Sequence, residues 1–377
     1  MSFLTKKDYE NYLISLADFP RYNQEHIVDL TSAIKAGHIH YCETFKNYDK
    51  GISKHIVSDV TQSDFYGPIA KMPANFSLKD KAYFTEKTTA LIKEKVIPEY
   101  QKFYDFMVEN YIPNAKTSIA AGDLPSGKQF YQNRVTHYTT TNKSADEIHD
   151  LGLQEVARIR SQMDDIIKGL NFEGSFAEFV KFLRNDPQFY AKTADDLLKE
   201  ASYIAKKIDA KLPQFFKTLP RKPYGVAPVP PAIAPKYTTG RYAGASSDDQ
   251  AGYYWVNTYA LDRRPLYVLE ALTLHEAVPG HHLQISLAKE MENVPDVRRN
   301  TYISAFGEGW ALYGEWLGIE MGFYQDPYSQ FGRLTYEMWR ACRLVVDTGM
   351  HVKGWSREKA IDFLASNTAL SMHNVVT

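Results

Sequence analysis

Cysteine is scarce in this chain, and no stretch is both long and apolar enough to cross a bilayer. Cys42 and Cys342 are the two cysteines among 377 residues and lie far apart in sequence. Neither a disulfide scaffold nor a thiolate zinc site is therefore expected. The N-terminus, Met-Ser-Phe-Leu-Thr-Lys-Lys, carries no apolar signal region, so the sequence as it stands predicts a cytoplasmic protein. Loss of an export signal would change that prediction to periplasmic.

The chain also lacks an excess of charge of either sign. Lys and Arg number 44 and Asp and Glu number 45, which gives a formal net charge of -1 at pH 7. This balance speaks against nucleic-acid and membrane-surface partners, because both attract basic patches. With 44% hydrophobic residues, the chain can bury a large core. Composition therefore agrees with an ordinary globular enzyme and leaves the oligomeric state open.

Apolar residues recur every three or four positions over much of the chain, which predicts a mainly α fold. Ser144 and Glu147 have the spacing of a capping box at the start of one helix, and Pro98 should kink or split another. The predicted helices cover residues 80–108, 144–170, 175–183, 193–208 and 336–352.

Prolines are concentrated between residues 220 and 235, where neither a helix nor a central strand can persist. This stretch predicts a boundary between two subdomains. We expect a helical scaffold subdomain at residues 1–219, a Pro-rich connection at 220–235, and a metal-binding catalytic subdomain at 236–377.

A turn-rich segment with an aromatic run lies between Tyr237 and Tyr259. It predicts a short antiparallel hairpin immediately ahead of a helix with clustered histidines. An open strand of this hairpin can pair with an extended peptide, and Asn257 can hold a substrate amide. Core packing is the alternative role, and it is the commoner one for an aromatic strand.

The run His-Glu-Ala-Val-Pro-Gly-His-His, from His275 to His282, places three imidazoles and a carboxylate within eight residues. Leucines at helical spacing on both sides indicate a buried helix, in which a metal ion would satisfy several polar groups at once. Position i+4 from His275 is Pro279, which cannot bind a metal and should kink or bulge the helix. The second ligand is then His281, if Val278-Pro279 form a two-residue bulge, or alternatively His282.

A second dense motif, Phe-Gly-Glu-Gly-Trp-Ala-Leu-Tyr, begins at Phe306. Its Glu308 can supply the third protein ligand of a catalytic zinc site, which keeps one position open for water. Glu276, next to the first histidine, is placed to act as the general base. Together the two motifs predict a zinc-dependent hydrolase.

Three stretches together resemble the bacterial family known as domain of unknown function 885, which is grouped with the zincin metallopeptidases: residues 275–284, 308–313 and 337–351. Glu308-Gly309-Trp310-Ala311 is also similar to the signature of gluzincin aminopeptidases, in which the glutamate is the third zinc ligand. The resemblance therefore implies Zn²⁺ as the cofactor. It also implies a multi-helical, zincin-like fold of the neurolysin and thermostable-carboxypeptidase type.

The chain departs from these patterns in two respects. Members of the family usually extend further at both ends, which implies that this chain begins and ends inside the family pattern and lacks a tyrosine-bearing C-terminal segment. Gluzincins commonly carry an acidic residue four positions after the third ligand, where it orients a zinc histidine, and that position here is Leu312. Glu315 and Asp347 are the candidates to replace it.

The last predicted long helix carries candidate substrate contacts. Arg340 and Arg343 share a face and can bind the terminal carboxylate of a peptide, or they can pair with carboxylates of the same helix and only hold it in place. His351 is a candidate donor to the tetrahedral intermediate, as in related zincins, and Tyr336 is the competing candidate.

We therefore expect hydrolysis of peptide bonds in short peptides, of the carboxypeptidase, dipeptidase or oligopeptidase type. Zinc held by His275, His281 and Glu308 would activate water, with Glu276 as the base. Two alternatives stay open: a metal-binding or structural protein of the same fold with little or no turnover, and a zinc hydrolase of a non-peptide amide or an ester. Bound zinc without cleavage of any peptide would favour the first alternative.

Overall fold

The computed structural model describes residues 3–46, 48–247 and 249–376. Contacts between Cα atoms divide the chain into two compact units, Met1–Lys128 and Gln129–Thr377. The Pro-rich stretch at 220–235 lies inside the second unit, so a subdivision of that unit at this stretch stays a prediction. The mainly α character expected from the sequence is confirmed.

The first unit is helical, with small clusters of buried apolar side chains between its helices. The segment predicted as one helix at 80–108 contains a π-helical turn, Ile92–Val96, which ends two residues before Pro98. A π turn is a common response to a proline, because its nitrogen cannot donate a regular helical hydrogen bond. The α-helices of this unit are α1 (Lys6–Ala36), α2 (Tyr48–Ser53), α3 (Gly67–Ala70), α4 (Leu78–Leu91) and α5 (Ile97–Phe106).

The second unit carries the histidine and glutamate motifs. Its helix α7 begins at the predicted capping box: the Ser144 hydroxyl accepts from the Glu147 N–H, and the Glu147 carboxylate accepts from the Ser144 N–H. Within the described part of the chain, no helix is long and apolar enough to span a membrane. The remaining α-helices are α6 (Gly127–Thr139), α7 (Ala145–Gly169), α8 (Phe176–Asn185), α9 (Ala194–Phe215), α10 (Leu269–Glu276), α11 (His281–Lys289), α12 (Asp296–Asn300), α13 (Ser304–Glu320), α14 (Pro327–Val352), α15 (Arg357–Asn367) and α16 (Met372–Val376).

A small mixed sheet belongs to the second unit, with the strand order β1–β3–β2. Strand β2 (Gly240–Ala243) pairs antiparallel with β3 (Gly252–Val256), and β1 (Tyr224–Pro228) pairs parallel with β3. The prediction of a simple antiparallel hairpin therefore needs correction, because a third strand joins it. Strand β1 lies in the Pro-rich stretch, and a strand at the edge of a sheet tolerates proline because one side of it makes no ladder hydrogen bonds.

Helix α10 lies in the main hydrophobic core, and all of its residues except Glu270 are buried. Two glycines of α13 face it. A Cβ added at Gly318 would lie 2.5 Å from the Leu274 Cδ1, and one at Gly314 would lie 3.2 Å from the Leu274 carbonyl oxygen. These small residues allow the two motif-bearing helices to pack closely, which brings the glutamates of α13 next to the histidines.

We expect Gly152→Ala in α7 to destabilise the protein by about 1–3 kcal/mol, because core overpacking at the contact with α14 forces side chains from their preferred positions. The added Cβ would lie 2.8 Å from both the Leu344 Cβ and the Val345 Cγ2. Gly169→Ala, at the end of the same helix, is the matched control, as no described atom lies within 4 Å of its added Cβ. It should be neutral or stabilising by up to about 1 kcal/mol. Equal urea midpoints for the two variants would contradict the packing of α7 on α14.

Candidate metal centre

The candidate centre lies where helices α10, α11 and α13 of the second unit meet. Helix α10 ends at Glu276 and α11 begins at His281, so the helix is interrupted at residues 277–280, where Pro279 was expected to break it. The rings of His275 and His281 consequently lie side by side, with 4.7 Å between their centroids.

Gly280 makes this interruption compact. Its N–H donates to the Leu274 carbonyl at 3.0 Å, and an added Cβ would lie 1.9 Å from the His275 carbonyl oxygen. No side chain fits between these backbone segments, so glycine is required here for steric reasons. The chain folds back on itself, and His281 is therefore much closer to His275 than six residues of straight helix would place it.

The three predicted ligands lie together. Glu308 on α13 places its Oε2 at 3.6 Å from the His275 Nε2 and its Oε1 at 3.8 Å from the His281 Nε2. All three ligand atoms lie within 4.8 Å of one another. Ligand atoms that bind a tetrahedral zinc at about 2.1 Å are about 3.4 Å apart, so a small contraction of this triad would accommodate the ion. The residues present thus fit zinc in kind, number and spacing.

Exposure differs among the three ligands. The side chains of His275 and His281 are buried, whereas that of Glu308 is 58% exposed. The centre is therefore closed on its protein side and open on the side of Glu308. Such an opening is what a catalytic metal site needs, because a water molecule and a substrate must reach the ion.

His275 is oriented from behind by Glu315, whose Oε1 lies 2.7 Å from the His275 Nδ1. A charged carboxylate at this distance holds the proton on Nδ1, which leaves Nε2 free to bind a cation. Arg340 approaches the same Oε1 at 3.1 Å and balances the buried negative charge. Of the two acidic candidates, Glu315 thus contacts the histidine, whereas Asp347 accepts a hydrogen bond from the Tyr131 hydroxyl.

The electrostatic surroundings of His275, His281 and Glu308 favour one positive charge between these three side chains. Burial opposes a charge on His275, but hydrogen bonds to Glu308 and Glu315 outweigh burial and raise the pKa of His275 to about 9. The hydrogen bond with His275 lowers the pKa of Glu308 to about 2, while burial and the charge of His275 lower the pKa of His281 to about 4. A divalent cation would supply this positive charge in place of the His275 proton.

Glu276 is buried at the end of α10, and its Oε2 accepts the Tyr242 N–H of β2 at 2.7 Å. Burial raises the pKa of Glu276, because it disfavours the charged carboxylate. A carboxylate with a raised pKa accepts a proton more readily than one exposed to water. Glu276 therefore has the properties of a general base.

A cavity of about 510 Å³ opens onto the triad and Glu276. Strand β2 and the residues before it form one part of its lining, and α14 forms another. Its lining residues are Thr238, Thr239, Gly240, Arg241, Tyr242, Leu272, His275, Glu276, His281, Ile285, Tyr302, Glu308, Tyr336, Trp339, Arg340 and Arg343.

His282, the alternative to His281, faces away from the triad. Its Nδ1 lies 2.9 Å from the Tyr242 hydroxyl, and its Nε2 lies 3.1 Å from the Lys222 carbonyl. Both ring nitrogens therefore have partners, and burial lowers the pKa of His282 to about 4. The geometry favours His281 as the ligand and gives His282 the structural role of holding β2 against α11.

Two other predicted site residues lie elsewhere. The side-chain amide of Asn257 is buried and donates to three backbone carbonyls before β2, those of Ala234, Tyr237 and Thr238. It is therefore not free to hold a substrate amide. The His351 ring lies 5.3 Å from the Tyr131 ring and does not line the cavity. Eleven residues of helix, about 16 Å, separate His351 from Arg340, which explains why it does not reach the centre.

Tyr336, the candidate donor to the tetrahedral intermediate, and Arg340 and Arg343, the candidate substrate contacts, all line the cavity, but their surroundings differ. The buried Tyr336 hydroxyl donates to the Thr239 Oγ1 at 3.3 Å. Arg340 contacts Glu315, whereas Arg343 lies over the Trp339 ring. Tyr336 and Arg340 thus have partners within the protein, and Arg343 is the more available of the two arginines.

Among the lining residues that sequence reasoning did not assign to the site are Arg241 and Tyr302. The Tyr302 hydroxyl lies 3.5 Å from the Glu308 Oε1, and Arg241 lies on β2. Neither belongs to a motif. The alternation of side chains along a strand could have assigned Arg241 to the face opposite the buried Tyr242, but not to a metal cavity.

We expect His281→Ala to weaken zinc binding by more than about 100-fold, because it removes a candidate direct ligand, whereas loss of a residue that only orients a ligand costs about 10–100-fold. His282→Gln keeps a hydrogen-bonding side chain and should retain zinc affinity within about threefold. Competition with a chromophoric chelator measures both variants. A larger loss in His282→Gln would reverse the assignment of the second ligand.

Glu315→Gln should weaken zinc binding by about 10–100-fold, because the amide no longer holds the proton on the His275 Nδ1 by charge. Glu320→Gln, an exposed position on the same helix, is the matched control and should leave the affinity unchanged. If both variants bind zinc like the wild type, Glu315 has no part in the centre.

Comparison with known proteins agrees with the resemblance to domain of unknown function 885 that the motifs indicated. No curated protein matches the chain. A solved structure from Colwellia psychrerythraea, described as a putative lipoprotein, shares 29% identity and a TM-score of 0.88, and the match covers 99% of this chain and 65% of that one. A second, from Shewanella oneidensis, described as a putative lipoprotein of unknown function, shares the fold at 17% identity and a TM-score of 0.62, over 97% of this chain and 67% of that one.

The chain thus spans about two thirds of the length of both solved relatives. A family model described as "Bacterial protein of unknown function (DUF885)" matches residues 1–377. The match includes the histidine motif, the glutamate motif and the helix that follows them. The chain belongs to this DUF885 family of bacterial proteins of unknown function.

Proposed function

We propose that this protein is a zinc-dependent hydrolase that cleaves peptide bonds in short peptides. The observation that carries the proposal is the convergence of His275, His281 and Glu308 beside the buried carboxylate of Glu276 in one cavity. Two imidazoles, a carboxylate and an adjacent base form the set of groups that metal-assisted hydrolysis requires.

When bound, zinc would polarise the scissile carbonyl and lower the pKa of a water molecule towards about 7. Glu276 takes a proton from the attacking water and passes it to the leaving amine. The hydrogen bond from the Tyr242 N–H keeps the Glu276 carboxylate oriented during both transfers. Glu315 holds His275 in the tautomer that leaves its Nε2 available, and Arg340 balances the charge of Glu315.

Strand β2 favours a peptide as the substrate. It lies at the edge of the sheet and lines the cavity, and an extended peptide can add to such an edge through main-chain hydrogen bonds. We therefore assign to β2 the substrate-pairing role expected of the predicted hairpin. The cavity volume of about 510 Å³ is in the usual range for small ligands, which favours short peptides over folded proteins.

Glu276→Gln should lower kcat for peptide hydrolysis by about 10²–10⁴-fold, because it removes the proton acceptor and leaves the zinc ligands in place. Zinc content, measured by mass spectrometry, should equal that of the wild type. Glu320→Gln is the control and should hydrolyse peptides at the wild-type rate. Unchanged hydrolysis in Glu276→Gln would remove Glu276 from the mechanism.

The same assay distinguishes the alternatives. Zinc-loaded wild-type protein is incubated with a mixture of short peptides, with an ester and with a non-peptide amide. Bound zinc without turnover of any compound would favour a metal-binding or structural role. Turnover of the ester or the non-peptide amide alone would favour a hydrolase of another acyl group.

The cellular location belongs to the proposal as well. Both solved relatives are described as putative lipoproteins, which favours the periplasmic alternative over the cytoplasmic one. Fractionation of cells that express the natural gene decides between the two compartments, and recovery in the cytoplasmic fraction would contradict this preference.

A further inference from the structure

Two arginines that line the metal cavity have no carboxylate partner among the described residues. Arg241 lies on β2 near the phenol of Tyr237, which raises the pKa of its guanidinium group. Arg343 on α14 lies 5.7 Å from the centroid of the Trp339 ring. Both side chains are exposed. Arg340 differs from them, because it contacts Glu315 at 3.1 Å.

Arg241 lines the same cavity as His281, Glu276 and Glu308, so its positive charge acts on the candidate centre. Glu276 and Glu308 do not cancel the positive charge that a substrate meets in the cavity, because in the proposed function Glu308 is a metal ligand and Glu276 is the base. An incoming anion would therefore find guanidinium groups available beside the reacting bond.

The charge balance of the cavity also favours an anionic ligand. Three arginines of the lining contribute +3, and Glu276, Glu308 and the adjacent Glu315 contribute −3, so a bound divalent cation would give the site a net charge of +2. A cavity with low-dielectric walls concentrates such a field and attracts anions. The favoured ligand is thus a molecule with at least one negative charge.

The two arginines line the cavity from different elements, Arg241 from β2 and Arg343 from α14. Arg343 follows Arg340 by three residues, about 4.5 Å along the helix axis. A carboxylate that enters the cavity is therefore offered a guanidinium group by each of these two elements. A short peptide that pairs with β2 would end inside a cavity of this size. Its C-terminal carboxylate would then be the anionic group that comes closest to the two arginines.

We propose that Arg241 and Arg343 bind the C-terminal carboxylate of a short peptide, so that this protein acts at free C-termini rather than within chains. This inference rests on the proposed function and names its substrate class. It replaces the pair expected from the sequence, because Arg340 is bound to Glu315 and Arg241 takes its place across the cavity.

The kinetic test compares three forms of one short peptide: the free acid, the C-terminal amide, and the amide with a glutamate as its last residue. The wild type should prefer the free acid to the plain amide by at least about tenfold in kcat/KM, mainly through KM. Arg241→Gln and Arg343→Gln should each reduce this preference by about tenfold. Arg343→Lys keeps the charge but loses the two-pronged geometry and should give an intermediate preference.

Arg298→Gln is the matched control, since Arg298 is an exposed arginine of α12 outside the cavity lining. It should keep the wild-type preference. Far-UV circular dichroism and thermal melting show whether each variant is folded. Equal kcat/KM values for the acid and the amide in the wild type would overturn the inference. Equal kcat/KM values for the glutamate-ended amide and the free acid would also overturn it, because the recognised anion could then be a side chain.

A binding measurement separates this inference from the hydrolase proposal. Calorimetry with zinc-loaded Glu276→Gln should show the free acid binding at least about tenfold more tightly than the amide, and adding Arg241→Gln should abolish the difference. That result, without turnover by the wild type, would keep the carboxylate site and reject hydrolysis. Turnover with equal binding of the acid and the amide would keep hydrolysis and reject the carboxylate site.

Discussion

The contact between two backbone segments, Gly280 against the carbonyl of His275, is the constraint on which the candidate centre depends. A single methyl group at position 280 would collide with this carbonyl oxygen at 1.9 Å. Because no side chain is present, the segment between α10 and α11 can be compact and bring the rings of His275 and His281 to 4.7 Å from each other. A regular helix through the same residues would carry the two rings to separate places. The close approach of the two candidate ligands thus depends on the absence of a side chain at Gly280.

The rest of the centre is built around this bend by close helix packing. Helix α10 is buried, and Gly314 and Gly318 let α13 approach it closely. One helix can then contribute both Glu308, on the open side of the histidines, and Glu315, on the buried side. The seven residues between these glutamates are about two helical turns, so both lie on one face of α13 and contact His275 from different directions. Glu308, the candidate ligand, and Glu315, which orients the candidate ligand His275, therefore lie on the same helix.

Sequence reasoning succeeded where the chemistry is local and failed where partners are distant. The interruption at Pro279 and the capping box at Ser144 depend on neighbouring residues, so spacing alone could indicate them. The choice of Glu308 as a metal ligand stays a prediction, although Glu308 lies next to His275 and His281. Asn257 and His351 were misplaced for a physical reason: both are polar residues near the motifs, but their orientation depends on packing. Asn257 is buried against carbonyls of the preceding loop, and His351 lies too far along its helix.

The sequence by itself determined the residue types of a candidate metal centre, the break between two histidines and the mainly helical character, because these follow from side-chain chemistry and short-range periodicity. Only the tertiary structure decided that His281 rather than His282 lies beside His275 and Glu308, that Glu315 contacts His275, and that Arg241 lines the cavity. These outcomes depend on which surfaces pack together over long sequence separations. Burial and close packing select such contacts, and neither can be read from the order of residues along the chain.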